Sequence, residues 1–135
     1  MSQIVLAAGL LHFCQVPAMV AAPRMLGWQQ DLERLQPINR RIVKVIGLAI
    51  VIVVLGLGMV VASAPGELLN GGRLALGLTS FLAVFWLYRA VVQVTLYARI
   101  WPGGFLGRAS FYGLSVLFFA LAGMYLAAFV FNIHR

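Results

Sequence analysis

The sequence predicts an all-α integral membrane protein: four transmembrane helices in one bundle, with a single interfacial amphipathic helix. Three observations carry this. Four apolar runs, each long enough to cross a hydrocarbon layer about 30 Å thick, take up nearly all of the 135 residues. Hydrophobic residues make up 63% of the chain and charged ones 10%, against about 25% in ordinary soluble chains, so charge is too scarce to cover that apolar surface in water. Asp31, Glu33 and Glu67, the only acids, all lie between runs, and every basic residue except Arg89 sits near a run's end or in a connection. One membrane domain, 1–135, is therefore expected, with spans at about 4–22, 42–64, 73–99 and 105–132 and the interfacial helix at about 23–37.

The first run resembles a signal peptide in length but not in detail. Met1-Ser2-Gln3 carries no basic side chain, and Pro23 follows the only plausible small-residue cleavage site at Ala22, so a retained span is expected. His12, Gln15 and Pro17 make it polar for a span, and Pro17 should bend it near Phe13. Cys14, the single cysteine, excludes an internal disulfide and any multi-thiolate metal site and is expected to be a small core residue.

Residues 23–37 read as a helix opened by Pro23, with Met25, Trp28, Leu32 and Leu35 on one side, lying in the membrane interface and ended by Pro37. Arg40, Arg41 and Lys44 crowd the start of the second run, which holds no polar side chain between Val45 and Ala62 and should face lipid widely. Gly56, Gly58 and Ala62 would let another helix come close. Pro65 and Gly66 end this run. The third run leads into a turn at Trp101-Pro102-Gly103-Gly104, with Trp101 at the interface. The fourth is rich in aromatic residues, with Ser110, Ser115 and Gly123/Ala127 as its small packing surface.

Charge sets the expected orientation. Arg24, Arg34, Arg40, Arg41, Lys44, Arg99 and Arg108 flank one side, and Arg73 and Arg135 the other. The heavy side is expected to be cytoplasmic, which puts both termini in the periplasm of a bacterial inner membrane. The same distribution argues against a nucleic-acid partner for the net charge of +7, because nucleic-acid binders gather their cations on one water-exposed face.

Pro23-Arg24-Met25-Leu26-Gly27-Trp28, followed by Leu35-Gln36-Pro37-Ile38-Asn39-Arg40-Arg41, resembles a pattern in small bacterial integral membrane proteins with four predicted spans. The resemblance covers most of the chain and implies the four-span architecture; it transfers no site residue.

Two constellations stand out. Trp86, Arg89, Gln93 and Tyr97 share a stripe of the third span, with Arg89 about 24 Å from its Arg73 end. No span contains an acid to neutralise this guanidinium, which makes the stripe a candidate partner- or lipid-binding site. On the first span, His12 and Gln15 form a candidate ligand site, with Ala8 one turn before His12 leaving a flat face where a single haem or chlorophyll could take His12 as axial ligand. Trp28, Arg40, Arg41, Lys44 and Trp101 are candidate interface residues. There is no paired carboxylate, nucleophile–base set, phosphate loop or metal cluster, so no catalytic residue is assigned and no cofactor is required.

The function expected is a non-catalytic accessory subunit of a larger respiratory or photosynthetic electron-transfer complex, in contact with membrane lipids and other membrane subunits. Its aromatic surfaces would suit quinone, carotenoid or lipid tails. The alternatives are an anion carrier working as a homo-oligomer through Arg89, Gln93 and Gln15, and a haem- or pigment-binding anchor resting on His12.

Overall fold

In the computed structural model, which describes residues 1–135, the chain is helical and has no strand. Helix α1 (Ser2–Leu11) leads through a 3-10 turn at Phe13–Gln15 into α2 (Val16–Met25). Pro17 is the cause of the break, because it has no N–H to give the Phe13 carbonyl. Val16 donates to that carbonyl instead, one residue early, which tightens the turn. A short α3 (Trp28–Glu33) follows, then α4 (Pro37–Ser63), a 3-10 turn at Glu67–Leu69, α5 (Arg73–Thr95) with a 3-10 turn at Tyr97–Arg99, and α6 (Gly104–Ile133). Ser2–Met25, Pro37–Ser63, Arg73–Arg99 and Gly104–Ile133 are long and apolar enough to cross a membrane, as in a multi-pass membrane protein. Met1, the 64–72 connection and Arg135 share one end of the molecule, here the terminal end; the 26–36 and 100–103 connections form the basic end.

The segment expected to be one interfacial helix over 23–37 divides differently. α2 runs on through Pro23 to Met25, and Gly27, at φ 64, stops it in the left-handed conformation that glycine adopts freely. Only six residues of α3 remain, with Trp28 exposed. Pro37 opens α4 rather than ending α3, since its fixed φ suits a first helical turn and Gln36 before it is extended. Arg40 then reaches back from α4. Its Nε donates to the Leu32 carbonyl at 2.8 Å and its Nη2 to that of Glu33 at 2.8 Å, capping the carbonyl end of α3.

α5 packs along α6, and α1 lies between α4 and α6. The core is built from Val5, Ala8, Val61, Leu82, Trp86, Ala90, Phe118, Leu121, Tyr125 and Ala128, among others. Small residues bring α1 onto α4. A Cβ on Gly9 would stand 2.7 Å from the Ala62 backbone nitrogen, and one on Gly58 would stand 2.8 Å from the His12 Cβ. Gly58 and Ala62 thus form the close contact, while Gly56 faces open space. α4 is otherwise bare: Val54, Gly58 and Val61 are its buried residues, and Ile46, Leu48, Ile52 and Met59 are exposed. Cys14 is exposed too, on the outer side of the 3-10 turn, and not in the core as expected.

Asn132 fastens the terminal end. Its Nδ2 donates to the Leu68 carbonyl at 2.7 Å, and its Oδ1 accepts from the Gly71 N–H at 3.1 Å, while Arg135 Nη1 donates to the Leu69 carbonyl at 3.3 Å. Asn132→Leu should leave a buried carbonyl and a partly buried N–H without partners and destabilise the fold by about 1–3 kcal/mol. Unfolding in a denaturing-detergent titration measures this; an unshifted midpoint would show that Asn132 does not hold the turn.

Candidate functional site: a buried donor cluster

His12 ends α1 with its side chain fully buried. Its Nδ1 lies 2.8 Å from the Ala8 carbonyl, a partner that assigns the hydrogen to Nδ1 and leaves Nε2 with a free lone pair. The imidazole meets Trp86 of α5 edge-on at 5.1 Å between ring centroids and Tyr125 of α6 at 5.9 Å. Trp86 in turn stacks on Phe118 at 5.7 Å. Three helices therefore bring their rings together where α1 breaks.

Five buried polar atoms on these helices and the 3-10 turn lack partners. His12 Nε2, Gln15 Nε2, Trp86 Nε1, Gln93 Nε2 and Tyr125 Oη are buried and make no hydrogen bond. A buried polar group left unpaired costs about 1–3 kcal/mol. Four of the five are N–H or O–H donors, and His12 Nε2 is an acceptor.

The Trp86, Arg89, Gln93 and Tyr97 stripe is divided by helix geometry. At about 100° per residue, Gln93 falls about 20° from Trp86 and Arg89 about 60° away. Trp86 and Gln93 point inward, each 1% exposed, while Arg89 sits half-buried at the bundle's edge, its guanidinium 5.1 Å from the Phe118 ring centroid. Arg40 and Arg135 are the arginines that donate side-chain hydrogen bonds; Arg89 is not among them. Tyr97 lies beyond the end of α5 in the 3-10 turn, against Trp101 at 5.9 Å. The structure brings His12 to Trp86, but not to Arg89.

No family model, curated protein or solved structure matches this chain.

The interface candidates have local roles. Trp101 Nε1 donates to the Gly107 carbonyl at 3.0 Å and to Ser110 Oγ at 3.2 Å, which fixes the 100–103 turn; Arg41 and Lys44 are exposed. Around His12 the surroundings do not fit a macrocycle. Ala8, expected to offer it a flat face, is fully buried in the core, and the imidazole is enclosed by Trp86, Tyr125 and Gly58. The free Nε2 is the right donor atom for an axial ligand, but no face of it is open to a haem-sized plate.

Tyr125 and Asn132 were not singled out by the sequence reading. Their signal is a seven-residue spacing, Phe118, Tyr125 and Asn132, which returns to within about 20° of the same side of a helix at each step. All three are buried along the inner side of α6.

Proposed function

We propose that the protein is a non-catalytic, multi-pass accessory subunit of a larger electron-transfer complex of the respiratory or photosynthetic kind. We place it in a bacterial inner membrane with both termini periplasmic, following the imbalance of basic residues between the two ends. Arg89 carries the reading. A guanidinium deep in a span costs about 2.5–3.5 kcal/mol on insertion scales. The Phe118 ring beneath it returns about 0.5–2 kcal/mol, and the chain's three acids all lie outside the spans. Val84, Leu87, Tyr88 and Val91 are exposed around it, an apolar face suited to another membrane helix that brings the missing acceptor.

Arg89→Leu tests this. The parent chain, extracted from its host in mild detergent, should migrate with other polypeptides in native mass measurements, and the leucine variant should lose them. An unchanged assembly in the variant would refute the reading. A homo-oligomer alone would favour an anion carrier, which the geometry supports less well because Gln15 and Gln93 point inward while Arg89 lies at the edge.

A further inference from the structure

The seam between α1 and α4 closes at one end and stays open at the other. Gly58 sets its direction, since an added Cβ there would stand 2.8 Å from the His12 Cβ. At about 100° per residue, Arg40, Gly47 and Val51 fall within about 20° of that direction, and Lys44 and Val54 within about 40°. One stripe of α4 therefore runs from the closed contact to the cations of the basic end. Along it the neighbour disappears: Val54 is the first buried residue of α4, and an added Cβ on Gly47 would meet nothing within 4 Å. The cause lies in α1, which breaks at the 3-10 turn after His12. Its continuation, α2, has no buried residue and does not pack along α4.

The foot of this opening is cationic. Arg40 uses Nε and Nη2 on the carbonyls of Leu32 and Glu33, which holds α3 and the exposed Arg34 against the start of α4 and leaves Nη1 free. Arg41 and Lys44 are exposed beside it. Arg24, Arg34, Arg40, Arg41 and Lys44 stand against two acids at this end, Asp31 and Glu33. Between Lys44 and Val54 α4 carries no polar side chain. Over that distance the helix rises about 15 Å, half of a hydrocarbon layer about 30 Å thick, so the opening is one leaflet deep.

We propose that this opening holds one anionic phospholipid, its phosphate on Lys44 and Arg40 Nη1 and an acyl chain laid over Gly47 and Val51. Charge and shape select the occupant together. An excess of cations at the foot calls for a negative head, and basic pockets between spans on the side rich in Lys and Arg take anionic lipid heads. The wall above is apolar and one leaflet deep, the reach of an acyl chain. A wedge that closes at Gly58 leaves no room along its length for a helix about 10 Å thick, whereas a single chain follows it to its tip. Arg89 lies on another helix, α5, and has no part in the site. The inference depends on a membrane-spanning bundle and not on the electron-transfer reading above.

The full chain, freed of lipid by detergent exchange, is titrated with phosphatidylglycerol and with phosphatidylcholine of the same acyl chains, and bound lipid is counted by native mass measurement. One phosphatidylglycerol per chain should bind several-fold tighter than phosphatidylcholine. Lys44→Gln should weaken it about fivefold, the effect of one cation near the membrane surface. Arg73→Gln, the same loss of charge at the terminal end, should leave it unchanged. Gly47→Leu fills the opening without a clash and should weaken binding about tenfold, the burial of roughly two methylenes, while the unfolding midpoint does not fall below the parent's. Equal affinity for the two lipids, or equal losses in Lys44→Gln and Arg73→Gln, would overturn the site. Unchanged binding in Gly47→Leu would overturn the seated chain. A lipid-free dimer that Gly47→Leu dissolves, or a co-purifying polypeptide that it releases, would give the opening to a second copy or a partner helix and overturn the lipid.

Discussion

Leucine at Gly58 is expected to unseat α4 from α1 and to cost the folded state about 3 kcal/mol, the upper end of the range for overpacked contacts. The clash cannot be relieved by a side-chain rotation. A Cβ at this position would meet the His12 Cβ at 2.8 Å and the Gly9 carbonyl oxygen at 3.1 Å, atoms fixed by α1's own backbone. Gly56→Leu is the matched control, two residues away on the same helix with nothing within 4 Å of an added Cβ, and its stability should stay near the parent's. Tryptophan fluorescence during a denaturing-detergent titration reads both. Because Gly58 rests on His12, its variant should also disturb the environment of Trp86. Equal midpoints for the two variants would mean that the α1–α4 contact is not a close one.

The sequence made some of this plain and concealed the rest, for physical reasons. Apolar runs located the four long helices because hydrophobicity reports where hydrocarbon would surround the chain. It does not report where a helix stops, so α2 and α4 extend beyond the apolar limits to Met25 and back to Pro37. Proline misled twice. Pro23 looked like a start but lies inside α2, and Pro37 looked like a stop but is a start; Gly27, with its positive φ, is the actual boundary. Arg40 was visible as a charge and not as a cap, because the carbonyls it satisfies lie five to eight residues earlier across a turn. Trp86 and Gln93 were legible from spacing along one helix. Tyr125 was not, because what makes it part of the site is its approach to His12 from another helix.

Gln93→Leu and Tyr125→Phe are expected to stabilise the ligand-free protein, by about 1–3 kcal/mol each, against the usual sign for changes at buried positions. Each removes a buried donor that has no partner while keeping most of the side chain's apolar volume, so the desolvation cost disappears and little packing is lost. A denaturing-detergent titration of the parent and the two variants gives both numbers. If the ligand-free variants prove less stable than the parent, Gln93 and Tyr125 already have partners in the resting protein. Both side chains would then be ordinary members of the packed core. A gain in both variants would indicate a bundle that gives up stability at these two positions, as proteins do where selection acts on something other than the fold.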